Sequence, residues 1–142
     1  MEIRVQAEDF DPGTEIEKLT AGRNDIGGLV TFIGIVRNVA LTLEHYPGMT
    51  EREIERIAGE ARQRWPLLGL TVIHRYGRLE PGARIVLVIA ASEHRKAAFE
   101  AAEFLIDWLK TKAPFWKLEE TTDGPRWVEA KASDDRAAEN WS

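Results

Sequence analysis

Polar and apolar positions along the chain change period several times, and each change marks an element. The opening "EIRVQ" alternates as a short strand. Asp11-Pro12 offers an N-cap and a proline for the first helical position, leading into a short helix with Ile16 and Leu19 turned inward. "RNDIGG" is turn chemistry, and "LVTFIGIVR" is a β-branched run that closes on Arg37. After "NVA", the segment "LTLEHY" resumes strand character with Leu41, Leu43 and His45 on one face.

A period of 3.6 then takes over in "PGMTEREIERIAGEARQRW". Ile54, Ile57, Ala58, Ala61 and Trp65 form one apolar stripe; Thr50 and Glu53 have capping-box spacing, and Pro66 ends the helix. "LTVIHRYG" and "RIVLVIAA" read as strands joined by the turn "RLEPGA". Ser92 is the expected cap of the longest helix, from about Glu93 to Lys112, with Phe99, Ala102, Leu105, Ile106 and Leu109 as its buried face. Pro114 prevents its continuation. "FWKLEE" and "RWVEA" flank "TTDGP" as a hairpin, and the polar segment 131–142 is expected as a terminal helix. Strands outnumber helices and do not alternate regularly with them. The expected fold is therefore α+β, a single domain over 1–142 with a mixed or antiparallel sheet and two main helices.

Composition and charge narrow the function. At 142 residues the chain is long enough to bury about two thirds of its unfolded surface. A formal net charge of -5 argues against general nucleic-acid binding, which needs a basic face. No apolar run approaches the roughly 20 residues that span a bilayer, and "MEIRVQAEDF" lacks a signal pattern, so no membrane partner and a cytoplasmic address are expected. Cysteine is absent. That excludes a disulfide frame, a thiolate metal site, a cysteine nucleophile and a persulfide carried on this chain. Sulfur chemistry here would need sulfur brought by another molecule.

Candidate chemistry collects in cations. His45 and His74 lie in strand patterns with no zinc spacing, so they read as hydrogen-bonded structural histidines, and no metal or other cofactor is expected. His94 differs, because "SEHRK" sits at a helix start. His94, Arg95 and Lys96 oppose the helix dipole there, yet together with free N–H groups they describe an anion site. Arg37, closing an apolar strand, carries a guanidinium suited to phosphate.

The stretch "LKTKAPFWKLEE" sets three lysines among a proline and two large aromatics. Lys110 falls on the stripe through Phe99, Ala102 and Ile106, which brings its stem toward apolar surface. Desolvation lowers a lysine's pKa and suits it to proton transfer or nucleophilic attack. Lys117 shares a strand face with Phe115 and Glu119, whereas Lys112 points to solvent. Two lysines converging beside aromatics describe a pocket for a flat, anionic ligand. Arg95 and Lys110 are 15 residues apart on one helix, about 22 Å at 1.5 Å per residue. If both serve one small ligand, the expected arrangement is a symmetric dimer in which the helix start of one copy approaches the helix end of another.

"LTLEHYPGMTE", "SEHRKAAFEAAEFLIDWLKTKAPFWKLEE" and "RWVEAKASDD", with "GGLVTFIGIVRN" upstream, closely resemble the large, catalytic subunit of molybdopterin synthase. The resemblance covers nearly the whole chain. It implies an α/β-hammerhead-type α+β fold and a homodimer at the centre of a heterotetramer. It also implies a small ubiquitin-like partner ending in a Gly-Gly thiocarboxylate, whose sulfur passes to cyclic pyranopterin monophosphate to build the molybdopterin dithiolene. This sulfurtransferase activity belongs to molybdenum cofactor biosynthesis. Within that resemblance, Lys110 in "WLK" is the catalytic lysine and Lys117 in "FWK" assists it and holds substrate. Arg37, with His94 and Arg95 from the second protomer, resembles the pocket for the pterin and its phosphate. Ile35, Val36, Leu118 and Glu119 flank the matched residues as pocket lining.

Two departures stand out. Family members carry a longer loop between "VRN" and "LTLEH", so this chain either makes a tight hairpin there or lacks a flexible stretch. Lys131 stands in "VEAKAS" where an arginine is common, which keeps charge but loses bidentate phosphate contact. A second reading, a non-catalytic dimeric module holding a phosphorylated heterocycle or a ubiquitin-like partner's tail, would need only the arginines. Retention of both Lys110 and Lys117 favours an enzyme.

Overall fold

The β-branched runs form strands as their period predicts, but they divide between two sheets. The computed structural model of the chain describes residues 1–128 and 141. The first sheet contains β1 (Glu2–Gln6), β4 (Leu67–Arg75), β6 (Arg84–Ser92) and β2 (Gly28–Ile35), in the order β1-β4-β6-β2. β1 runs parallel to β4, and the remaining pairs are antiparallel. The second sheet, β5-β3-β7-β8, is antiparallel throughout: β5 (Gly77–Leu79), β3 (Leu41–His45), β7 (Phe115–Thr121) and β8 (Gly124–Val128). The α+β reading holds, with two four-stranded sheets in place of the single sheet expected.

Three helices complete the order: α1 (Pro12–Thr20), α2 (Met49–Arg64) and α3 (Arg95–Thr111). α2 and α3 bury Ile54, Ile57, Ala101 and Leu105 against Leu70, Val72, Val88 and Ala90 on one face of the first sheet. α1 lays Ile16 and Leu19 against Ile73, Leu87 and Ile89 on the other. Each fully buried leucine or isoleucine contributes about 2 kcal/mol. A third cluster, Val36, Leu43 and Leu79 with Tyr76 and Phe115, fills the space where the two sheets meet.

Asp11 caps α1 as expected, its Oδ1 accepting from the Thr14 N–H at 3.2 Å, with Pro12 opening the helix. The other two helix starts differ from expectation. Gly48 is the N-cap of α2, and the Glu51 carboxylate accepts the Gly48 N–H at 2.6 Å. Thr50 lies inside the first turn, where its Oγ1 accepts the Tyr46 N–H at 3.0 Å. Ser92 ends β6 and donates its hydroxyl to the Pro66 carbonyl, leaving His94 as the N-cap of α3.

The buried face of α3 keeps Ala102, Leu105 and Leu109 of the expected stripe but is rotated away from Phe99. Ala98, Ala101, Ala102, Phe104, Leu105, Trp108 and Leu109 are buried, while Phe99 is 60% exposed. Small alanines, not the large aromatic, face the sheet, because they let the helix backbone approach it closely. Lys110 follows this rotation and is exposed.

The turn expected at "RLEPGA" contains a strand of its own, β5, before the Pro81-Gly82 turn closes with an Ala83 N–H to Glu80 O bond of 3.0 Å. Gly82 there has φ +92°, the left-handed region open to glycine. The short connection after β2 is a tight crossing between sheets and not a hairpin. Val36 bonds with Ala83 and Gly82, and the Val39 N–H reaches the Arg37 carbonyl at 2.9 Å around Asn38 at φ +71°. That combination is a γ-turn. The β7–β8 hairpin forms at Thr122-Asp123 as the sequence predicts. The expected terminal helix and Lys131 lie outside the described residues. Trp141 packs edge-on against Trp65 and Phe104, and its indole N–H donates to Asp107.

Candidate active site

A cleft of about 620 Å³ opens where the end of β2, the end of α3 and the inner face of β7 converge. That volume suits a small heterocyclic ligand. Ile35, Val36 and Arg37 line it from the strand end and the crossing, Lys110 and Thr111 from the helix, and Phe115, Lys117 and Glu119 from β7. Strand alternation explains the last set, since residues 115, 117 and 119 share one face. Leu118 alternates to the opposite face, where it pairs with Thr42 and Trp127, so it is not among the lining residues.

Three cations and one acid therefore meet in this cleft. The Arg126 guanidinium lies 3.2 Å from Glu119 and engages that carboxylate, and cations outnumber acids along the cleft wall. Lys110 is reached by solvent, not by the desolvated stem that its position in the stripe suggested. Its location at the last turn of α3 is favourable, because a cation there complements the helix dipole.

Beneath the lysines lies a column of rings. His74 on β4 stacks on Phe115 with centroids 3.8 Å apart and planes at 18°. His45 lies 4.2 Å from Tyr76 and 6.3 Å from Phe115. The His74 Nδ1–H donates to the Arg75 carbonyl at 2.8 Å, which is the structural role expected for it. Burial pushes the His74 pKa down to about 4, against the Arg75 hydrogen bond that raises it, and the charges of Lys117, His45 and Lys110 lower it further. Residue pattern did not single out this ring column, because it joins strands of different sheets. The strand face shared by Phe115 and Lys117 was its one visible sign.

The second group of candidates sits elsewhere. His94 and Arg95 line a shallower depression with Gly27, Lys96, Phe99 and Glu100 at the start of α3. Gly27 makes room for that start: a Cβ on it would stand 1.9 Å from the Glu93 carbonyl oxygen. Within one chain, then, the structure brings Ile35, Val36, Arg37, Lys110, Lys117 and Glu119 together and leaves His94 and Arg95 at the far end of α3. Among the described residues no group of His, Asp or Glu is arranged to hold a metal ion.

The MoaE protein family matches residues 5–112. The chain belongs to the MoaE family. A molybdopterin synthase catalytic subunit from Mesorhizobium japonicum is 59% identical over 98% of this chain and 92% of its own length. The MoaE protein structure from Burkholderia ambifaria is 49% identical, covers 100% of this chain and 99% of its own, and superposes with a TM-score of 0.86. At the level of fold, the chain also resembles the complex of subunits 1 and 2 of molybdopterin-converting factor from Helicobacter pylori, at 24% identity, with a TM-score of 0.70 over 92% of this chain and 90% of that one.

Proposed function

We propose that Lys110 and Lys117 perform the proton and charge work of sulfur transfer in the cleft, with Arg37 and a second copy's His94 and Arg95 gripping the anionic substrate. The chain is the catalytic subunit of a molybdopterin synthase. It transfers sulfur from the thiocarboxylate of a small ubiquitin-like subunit to cyclic pyranopterin monophosphate, forming the molybdopterin dithiolene. The observation that carries the residue assignment is the convergence of Arg37, Lys110 and Lys117 on one cleft. The Helicobacter pylori relative in fold is itself a complex of two subunits, in keeping with a small partner here.

Chemically, the thiocarboxylate sulfur attacks an oxygen-bearing carbon of the pterin side chain; the new C–S bond replaces a C–O bond whose oxygen leaves with a proton supplied in the cleft, and water then cleaves the acyl–sulfur bond. Sulfur stays on the pterin and the tail leaves as a carboxylate. Lys110 stands at the cleft wall to donate and accept protons in these steps, and Lys117 stabilises the developing oxyanion. Arg37 offers a planar fork to the phosphate. Ile35, Val36 and Phe115 give the apolar lining that strengthens these charges. A cytoplasmic site of action is part of the proposal; among the described residues no helix is long and apolar enough to cross a membrane.

The test mixes the purified chain with thiocarboxylated small subunit and the cyclic pterin. Lys110→Ala should lower dithiolene formation by about 10²–10⁴-fold while small-subunit binding persists. Turnover at the wild-type rate would overturn the assignment of Lys110.

A further inference from the structure

β7 carries Lys117 and two acids, Glu119 and Glu120, on a strand that walls a cleft suited to an anionic ligand. An acid in such a wall opposes the ligand, so the direction of each carboxylate matters. Glu120 lies on the face of β7 turned away from the cleft, where the Arg78 guanidinium of β5 holds it with two bonds of 2.8 Å. Glu119 faces the cleft. Directly opposite it are Leu41 on β3 and Arg126 on β8, and the guanidinium of Arg126 donates to its Oε2 at 3.2 Å.

Glu119 is also the one acid on the face of β7 that carries Lys117. The residues opposite Lys117 on the two neighbouring strands are Leu43 and Val128, both apolar. Glu119 stands two residues further along, about 7 Å away at Cβ, a gap that these two long side chains can close. Its side chain is 29% exposed, against 70% for Arg126. The acid belongs to the cleft wall, whereas its arginine stands outside the lining. A residue that lines nothing itself thus sets the direction and the charge of one that does.

We propose that Arg126 is a positioning residue for sulfur transfer: by holding the Glu119 carboxylate across the β7–β8 ladder, it keeps that acid off Lys117 and preserves the pull of the cleft on an anionic substrate. This rests on the reading of Lys117 given above and says what sets its charge. Without the arginine, Lys117 is the cation within reach along the same face, and the carboxylate swings toward it. Two losses follow. The new pair cancels a charge that draws the substrate, and the acid raises the pKa of the amine, which makes it slower to give up a proton.

The test uses the full chain with its thiocarboxylated small subunit, and compares Arg126→Ala in the wild-type and Glu119→Gln backgrounds. Glu119→Gln keeps the shape of the side chain and removes its charge. In the wild-type background, Arg126→Ala should raise the KM for the cyclic pterin about 3-fold, the scale of an exposed ion pair. A carbon-13 NMR titration of the lysine Cε, assigned through Lys117→Arg, should move up by about half a pH unit. In the Glu119→Gln background the same change should move neither, and Arg126→Lys should restore most of both. An equal rise in KM in the two backgrounds would mean that Arg126 grips the substrate or merely braces the hairpin, and overturns the proposal. An unmoved Lys117 titration overturns it as well, even where Lys117→Ala abolishes turnover and the sulfur-transfer reading stands. If the titration moves as expected while Lys117→Ala turns over normally, the reading of Lys117 falls and the control of its charge by Arg126 stands.

Discussion

His74 is buried beneath the cleft, with its ring on Phe115 and its Nδ1–H on the Arg75 carbonyl. In the unfolded chain it titrates near 6.5, and in the fold near 4. Between those values the unfolded chain binds a proton that the fold refuses, so stability must fall as pH falls through this window. The full shift corresponds to about 3 kcal/mol, of which about 2 kcal/mol is lost by pH 5. Below about pH 4 this contribution levels off. Asp9, Asp25 and Glu120 are held below their ordinary values mainly by hydrogen bonds from Arg84, Arg23 and Arg78. Their contributions are present above the carboxylate range and fade only as pH drops through it, beneath the histidine window. Urea unfolding at pH 7.5 and pH 5.0 should show the loss in the wild type and a much smaller one in His74→Leu. That variant starts less stable at pH 7.5, having lost the stack and the hydrogen bond. An equal pH loss in both proteins, or an NMR titration of the His74 ring near 6.5, would refute the reasoning.

Three further outcomes follow from the geometry. Refolding a mixture of Lys110→Ala and Arg95→Ala chains should recover about a quarter of wild-type activity, because half the dimers are mixed and each holds one intact site; no recovery would argue for sites complete within one chain. Gly27→Ala should reduce turnover while circular dichroism shows α3 retained, since its Cβ collides with the Glu93 backbone and displaces His94 and Arg95; unchanged turnover would detach that group from the site. Trp141→Ala should cost about 2 kcal/mol in denaturant unfolding, reflecting a half-buried indole that packs on Trp65 and Phe104.

Much of this architecture was legible in residue order. Period-2 runs located seven of the strands, Asp11-Pro12 marked α1, and the alternation of Phe115, Lys117 and Glu119 put those side chains on one cleft wall. The division into two sheets was not legible, because Val36–Ala40 looks like an ordinary turn and only its bonds to Gly82, Ala83 and Glu120 reveal a crossing. On α3, Ala102, Leu105 and Leu109 are buried as expected, and Phe99 departs because side-chain size is a poorer guide than closeness of approach. Ala98 and Ala101 face the sheet, and Phe99 points away. Within the site, Arg37, Lys110 and Lys117 stood out by charge against an acidic background. Leu118 was adjacent to them in sequence but on the other side of the strand. His74 was recognised as structural, but its place under the lysines depends on β4 and β7 belonging to different sheets.

α3 carries Arg95 at its first residue and Lys110 near its last. Surface loops in such a protein can lengthen or shorten with little penalty, but this rod cannot. Deleting a single residue from its middle would swing Lys110 about 100° around the axis and draw it 1.5 Å closer to Arg95. In a symmetric pair, that one lesion would spoil two workplaces at once. The spacer between the amine and the guanidinium is thus expected to resist insertions and deletions more stringently than any connection in the fold.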